Sequence, residues 1–180
     1  GRNRLFPVTR QWIYFNHAAV GAMPSYVREA AAQYLDAIGS SGQLHWNNTG
    51  LLQDRLRQDL ASHLGVTASE IAFTRNVTEG ISILANGLDW QPGDNVLIPA
   101  LEFPSNVYPW QNLARRGVEV RFIPMPDGRF GLPEVMALAG RRTRVLSISS
   151  VQFYHGFMAC LPELGDWCRA HSVEYIGHVI

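Results

Sequence analysis

Apolar residues recur along the first third of the chain with the period of a helix. Val27, Ala30, Ala31, Tyr34, Leu35 and Ile38 fall on one face, with Pro24 placed to open the helix and Gly39 to stop it. Leu52, Leu56, Leu60 and Leu64 then follow at intervals of four, where Asn48 or Thr49 can cap a second helix and Gly65 can end it. Between the two, Gly39-Ser40-Ser41-Gly42 reads as a turn. From Glu70 the rhythm changes, and short apolar runs alternate with helical stretches. Strands are expected at 71–73, 95–99, 118–124, 145–151 and 173–180, and helices up to residue 88, at 106–116, at 132–139 and at 162–170.

Repeated βα units of this kind predict an α/β fold, a mostly parallel, doubly wound sheet with helices on both faces. Any ligand then lies beyond the carboxyl ends of the strands, so the residues just after each strand carry the chemistry. The expected division is an N-terminal segment with its helices at 1–65 and a large sheet domain at 66–180.

Composition narrows the function classes. The chain is 47% hydrophobic and 17% charged with a formal net charge of +0, an ordinary globular balance without a basic stripe, which argues against nucleic acid. No apolar run approaches the roughly 20 residues that span a bilayer, and no signal peptide pattern opens the chain, so no membrane is expected. Two cysteines, Cys160 and Cys168, and six scattered histidines give neither a disulfide framework nor zinc spacing; a cytoplasmic protein without a metal is expected. All 15 basic residues are arginine, and no lysine occurs.

Two loops at strand ends stand out. Thr74-Arg75-Asn76-Val77-Thr78-Glu79-Gly80 runs straight into a helix, whose first N–H groups and the Thr78 hydroxyl suit a phosphate dianion; Thr78 serves equally well as a plain helix cap. The segment carries neither a lysine-bearing P-loop nor the GxGxxG fingerprint. Farther on, Glu102-Phe103-Pro104-Ser105-Asn106-Val107-Tyr108-Pro109-Trp110 follows the 95–99 strand. Phe103 offers either a stacking face for a flat heteroaromatic ligand or a core aromatic, and Asn106 either meets a ligand on the substrate side or caps its helix.

These two loops, together with Tyr14-Phe15-Asn16-His17-Ala18-Ala19-Val20-Gly21-Ala22-Met23-Pro24, occur in the order and spacing of the class V aminotransferase and cysteine desulfurase family. The chain resembles that family over nearly its whole length, most of all the branch of cysteine-desulfurase-like and isopenicillin-N-epimerase-like proteins. The resemblance implies the large domain of a type I pyridoxal 5'-phosphate (PLP) fold, incomplete at its C-terminus, and usually a homodimer. It implies that Val77 and Thr78 hold the cofactor phosphate, that Phe103 stacks on the pyridine ring, and that Gln152, in Ser149-Ser150-Val151-Gln152-Phe153, makes a polar contact there. His17 borders the substrate side, or is a capping or loop histidine.

Two departures accompany the resemblance. His178, in Tyr175-Ile176-Gly177-His178-Val179-Ile180, occupies the position where the family has an aspartate on the pyridine nitrogen. A neutral imidazole can accept the same hydrogen bond but holds the proton less firmly. The family's Schiff-base lysine comes after that aspartate, outside these 180 residues, so this chain has no catalytic residue to assign. The resemblance thus implies a PLP-dependent enzyme acting on an amino-acid substrate through an external aldimine, of aminotransferase, desulfurase/lyase or epimerase type. A non-catalytic relative that binds or interacts, or an unrelated α/β nucleotide-binding module, is the competing expectation.

Overall fold

The computed structural model describes residues 2–17 and 19–179, with the backbone alone at 2, 3, 43 and 45–49. The chain forms two compact units, Gly1–Phe73 and Thr74–Ile180. Among the described residues no helix is long and apolar enough to cross a membrane.

The first unit holds the single-turn α1 (Arg2–Leu5), a 3-10 turn at Pro7–Arg10, and the long helices α2 (Ser25–Ser41) and α3 (Trp46–Leu64). Pro24, extended at φ −63° and ψ 148°, delivers the chain into α2 as expected. The expected turn at 39–42 is corrected: α2 runs on through Gly39 to Ser41, and Gly42, at φ +51°, ends it. A glycine inside a helix costs only about 1 kcal/mol, and the Ser40 hydroxyl folds back onto the Asp36 carbonyl at 2.9 Å. α3 starts at Trp46; the side chains of its expected caps, Asn48 and Thr49, lie outside the described residues. A capped 3-10 turn at Ala68–Glu70 follows, in which Glu70 accepts from the Thr67 N–H at 2.9 Å. Residues 71–73 form no strand, a second correction, because no described strand lies beside them to take their backbone hydrogen bonds.

The second unit reads α4 (Val77–Gly87), β1 (Asn95–Pro99), α5 (Tyr108–Gln111), β2 (Glu119–Ile123), α6 (Leu132–Leu138), β3 (Thr143–Ser149), α7 (Leu161–Ala170) and β4 (Glu174–His178). The sheet order is β2-β1-β3-β4 and every pair is parallel, the α/β architecture that the alternation predicts. The expected helix at 106–116 is broken into a 3-10 turn at Pro104–Asn106, α5, and a 3-10 turn at Asn112–Arg116. Pro104 and Pro109 remove two backbone donors and disfavour helical geometry in the residue before each, which tolerates short turns and not one long helix.

Side chains alternate between two cores. Leu97, Leu146 and Ile148 pack with Val135, Leu164 and Trp167 of α6 and α7. Val96, Ile98 and Val145 pack with Ile81, Ala85 and Trp110 of α4 and α5. β1 is buried along its whole length and β3 along nearly all of it, as a central parallel strand covered on both faces must be. The amino ends of the strands are closed off by Asp94, which accepts from Arg144 at 3.1 Å and from the Gln91 N–H at 2.8 Å. Thr143, which donates to Asn95 at 2.8 Å, joins it there, and the buried Glu102, Ser149, Ser150 and Gln152 gather at the carboxyl ends.

Candidate functional site

In the order β2-β1-β3-β4 the chain leaves β1 toward β2 on one side, while β3 lies on the other. The strand order therefore reverses between β1 and β3, and the crevice at such a switch point is the usual ligand site of an open α/β sheet. Glu102, in the turn after β1, reaches across it. Its side chain is buried, and four donors converge on its two oxygens. Oε2 accepts from the Ser149 N–H at 2.7 Å and from Gln152 Nε2 at 3.2 Å; Oε1 accepts from Ser149 Oγ at 2.6 Å and from the Phe103 N–H at 2.8 Å. A carboxylate, an acceptor only, satisfies that arrangement, and each bond to a charged group is worth roughly 1.5–3 kcal/mol.

The parallel register sets Ser149 opposite His178, the last residue of β4. Ser149 Oγ lies 3.1 Å from His178 Nδ1, so Glu102, Ser149 and His178 form one chain of contacts across β1, β3 and β4. Burial lowers the proton affinity of His178, with the negative charge of Glu102 opposing it. Neither Glu102 nor Ser149 is conspicuous in the sequence; the one available signal is an acidic residue three positions after the last residue of a buried strand, at the end of an open α/β sheet where ligands usually bind.

The other expected residues fall in distinct places. Gln152 is wholly buried; besides Glu102, its Nε2 meets the Ser149 carbonyl at 3.4 Å, and its Oε1 has no hydrogen-bond partner among the described residues. Phe103 is 42% exposed at the crevice rim and takes the ring of Phe153 edge-on, centroids 5.0 Å apart. Val77 and Thr78 open α4, but the cap is Asn76, whose Oδ1 accepts from the Glu79 N–H at 2.9 Å. Thr78 is thereby released from capping; the Gly80 N–H closes on the Asn76 carbonyl at 3.2 Å, and the N–H groups of Val77 and Thr78 have no hydrogen-bond partner among the described residues. Glu79, in that same turn, is folded back onto Arg75, 2.7 Å from its guanidinium, which holds the carboxyl below its ordinary range.

Asn106, expected on the substrate side or as a helix cap, is held inside the fold. It is completely buried, its Oδ1 accepting from Ser147 Oγ at 2.5 Å and from Trp110 Nε1 at 3.2 Å. Its work is to tie the loop after β1 to β3, because a 3-10 turn there directs the side chain inward rather than over the helix start. His17 lies in the first unit, exposed and edge-on to Tyr14 at 5.2 Å. Burial pushes the Cys168 thiol up to about 11, which leaves it protonated and unreactive at neutral pH. Among the described residues no cluster of histidine, cysteine and acidic groups could hold a metal ion.

Comparison with known proteins decides the family. The family model for aminotransferase class-V matches residues 13–177. The chain belongs to this family. A probable cysteine desulfurase of Methanothermobacter thermautotrophicus is 29% identical over 94% of this class-V chain, and a cysteine desulfurase of Salmonella newport is 37% identical over 61% of it. The chain spans 43% and 28% of those two proteins. Among solved structures, a lysine-to-alanine mutant of C-DES with glycine covalently linked to its PLP cofactor covers the whole chain at TM-score 0.87 and 28% identity. The chain corresponds to 48% of that protein. The apo cysteine desulfurase of Thermococcus onnurineus, at 21% identity and TM-score 0.80, shares the fold. The sheet and flanking helices of the class-V chain are thus the fold of the PLP-dependent cysteine desulfurases.

Proposed function

We propose that this chain supplies the cofactor-binding half of a PLP-dependent enzyme acting on an amino acid. The observation that carries the reading is the convergence of Glu102, Ser149, Gln152 and His178 at the switch point, with Phe103 on its rim. PLP, when bound, supplies an aldehyde that captures the substrate amine and a ring that accepts the electrons of a bond broken at Cα. The residues present fit it. The first turn of α4 offers the N–H groups of Val77 and Thr78 and the Thr78 hydroxyl to a phosphate dianion. Phe103 offers an aromatic face, and Gln152 Oε1 is a buried acceptor lacking a donor. His178 offers an imidazole nitrogen to a ring N–H. Val77 belongs to the phosphate loop through its backbone, while Glu102 holds Gln152 in place.

Cysteine is the first substrate to test, because the curated relatives carry that activity in their names. A homodimer is part of the proposal, supported by the apolar residues that α2 and α3 leave exposed, Leu35 and Leu52 among them. The test is titration of the intact protein with PLP, followed by visible absorbance, and then a screen of amino acids. Saturable binding with sulfur release from L-cysteine supports a desulfurase, and amino-group transfer to a keto acid supports a transaminase. No binding of PLP overturns the proposal.

A further inference from the structure

An aspartate needs no help to accept a hydrogen bond, since both of its oxygens are acceptors in every orientation. A neutral histidine has one donor nitrogen and one acceptor nitrogen, and which is which depends on what its second nitrogen meets. At residue 178 the neighbours leave little choice. Ser149 owns a single hydroxyl proton, and its 2.6 Å contact with Glu102 Oε1 uses it, because a carboxylate has no proton to return. Toward His178, 3.1 Å away, Ser149 Oγ can then only accept. The Ser149 N–H on Glu102 Oε2 and the Phe103 N–H on Oε1 hold the carboxylate in register, so the hydroxyl cannot rotate its proton elsewhere without losing its charged partner.

We propose that Glu102 and Ser149 are positioning residues that hold His178 as its Nδ1–H tautomer, leaving Nε2 as a lone-pair acceptor for the protonated nitrogen of a heteroaromatic ligand. Among the described residues Nε2 has no hydrogen-bond partner of its own. The relay also aligns the negative charge of Glu102 with the imidazole through two successive hydrogen bonds, which raises the basicity of Nε2, as a carboxylate behind a metal-bound histidine does. In this way a histidine at the end of β4 regains part of what a carboxylate would supply directly. The tautomer stands on the hydrogen bonds alone; only the identity of the ligand rests on the PLP reading.

The experiment is nitrogen-detected NMR of the intact protein with 15N-labelled histidine, the His178 signals being identified by their loss in His178→Gln. The wild type is expected to show His178 with its proton on Nδ1. Ser149→Thr keeps the hydroxyl and should keep the tautomer. Ser149→Ala should move the population toward Nε2–H, and Glu102→Gln, which lets Ser149 turn its proton toward the ring, should do the same. Circular dichroism on each variant separates a lost fold from a changed tautomer, and the Thr variant keeps the test decisive if the Ala variant fails to fold. An Nε2–H tautomer in the wild type, or a folded Ser149→Ala protein with unchanged populations, overturns the proposal. Titration with PLP distinguishes the two readings. A wild type with the expected tautomer that binds no PLP supports the relay and overturns the cofactor assignment, whereas binding of PLP to a protein in the other tautomer overturns the relay.

Discussion

The two units of the chain use apolar residues in opposite ways. Along α2 and α3, Val27, Tyr34, Leu35, Ile38, Leu52, Leu56 and Leu64 all remain exposed, and Ala61 is the one buried residue of the first unit among those described. Along β1 every residue is buried, and Val96, Leu97 and Ile98 face two different cores. Helical periodicity marks the first region and an unbroken buried run the second. Periodicity thus sets which face of an element is apolar, and only a neighbour converts that face into stability. At about 25 cal/mol per Å² of apolar surface removed from water, a stripe without a cover contributes little to the fold of its own unit.

The largest expected effect tests that contrast directly. In the 180-residue chain, Ile98→Ala should cost roughly 2–5 kcal/mol by urea denaturation, the range for a large-to-small change in a close-packed core. Leu52→Ala should stay within about 0.5 kcal/mol, as a surface substitution does. If Leu52→Ala costs as much as Ile98→Ala, the contrast fails. If it does so only in the intact protein, the stripe is covered there, as the proposed dimer requires.

Exposure at the strand ends and at the start of α4 is of another kind, since it falls where a ligand of an open α/β sheet would lie. Thr78→Ala should weaken PLP binding by about 1.5–3 kcal/mol, roughly ten- to a hundredfold, since it removes a hydroxyl donor to a dianion. Unchanged affinity in a titration would remove Thr78 from the site and make its exposure as incidental as that of Leu52. Phe103→Ala should lose about 0.5–1.5 kcal/mol of PLP affinity, and Phe103→His clearly less, because imidazole keeps a stacking face. Equal losses for the two variants would leave Phe103 as packing for Phe153.

The smallest effect concerns His178. Its imidazole binds a proton near 6.5 when unfolded and less readily when folded. The stability it contributes is therefore complete above that value and declines as the pH falls below it. A proton NMR titration of the intact protein should place the His178 midpoint under 6.5, and His178→Gln should flatten the corresponding acid limb of the stability curve. A midpoint above 6.5 would mean that the charge of Glu102 outweighs burial.

Local signals read well where one element decides its own form. The strand at 95–99 lies where the apolar run puts it, and Pro24 and Gly65 bracket the helical pair as their backbone preferences require. They read poorly where tertiary contacts outvote them. Residues 71–73 have strand composition and no strand beside them, and the helix of 106–116 yields to two prolines and to the burial of Asn106 against Ser147. The loops after the strands were recognisable as candidate ligand loops because the βα alternation says where such loops must lie. The roles of their residues were less so, as Asn106 and Asn76 show: one polar side chain turned inward, and the other took the cap that Thr78 also suits.

By itself the sequence determined the α/β alternation, the family, the order of the candidate ligand loops, the absence of lysine and the presence of histidine at residue 178. Those follow from period, spacing and residue type, which are properties of neighbours along the chain. Only the tertiary structure decided that Glu102, Ser149 and His178 act together. Glu102 and Ser149 are 47 residues apart and Ser149 and His178 are 29 apart, and no local preference links them. The register of three parallel strands brings them together, and at hydrogen-bond distance the count of protons, one on the serine and none on the carboxylate, settles what the histidine must do.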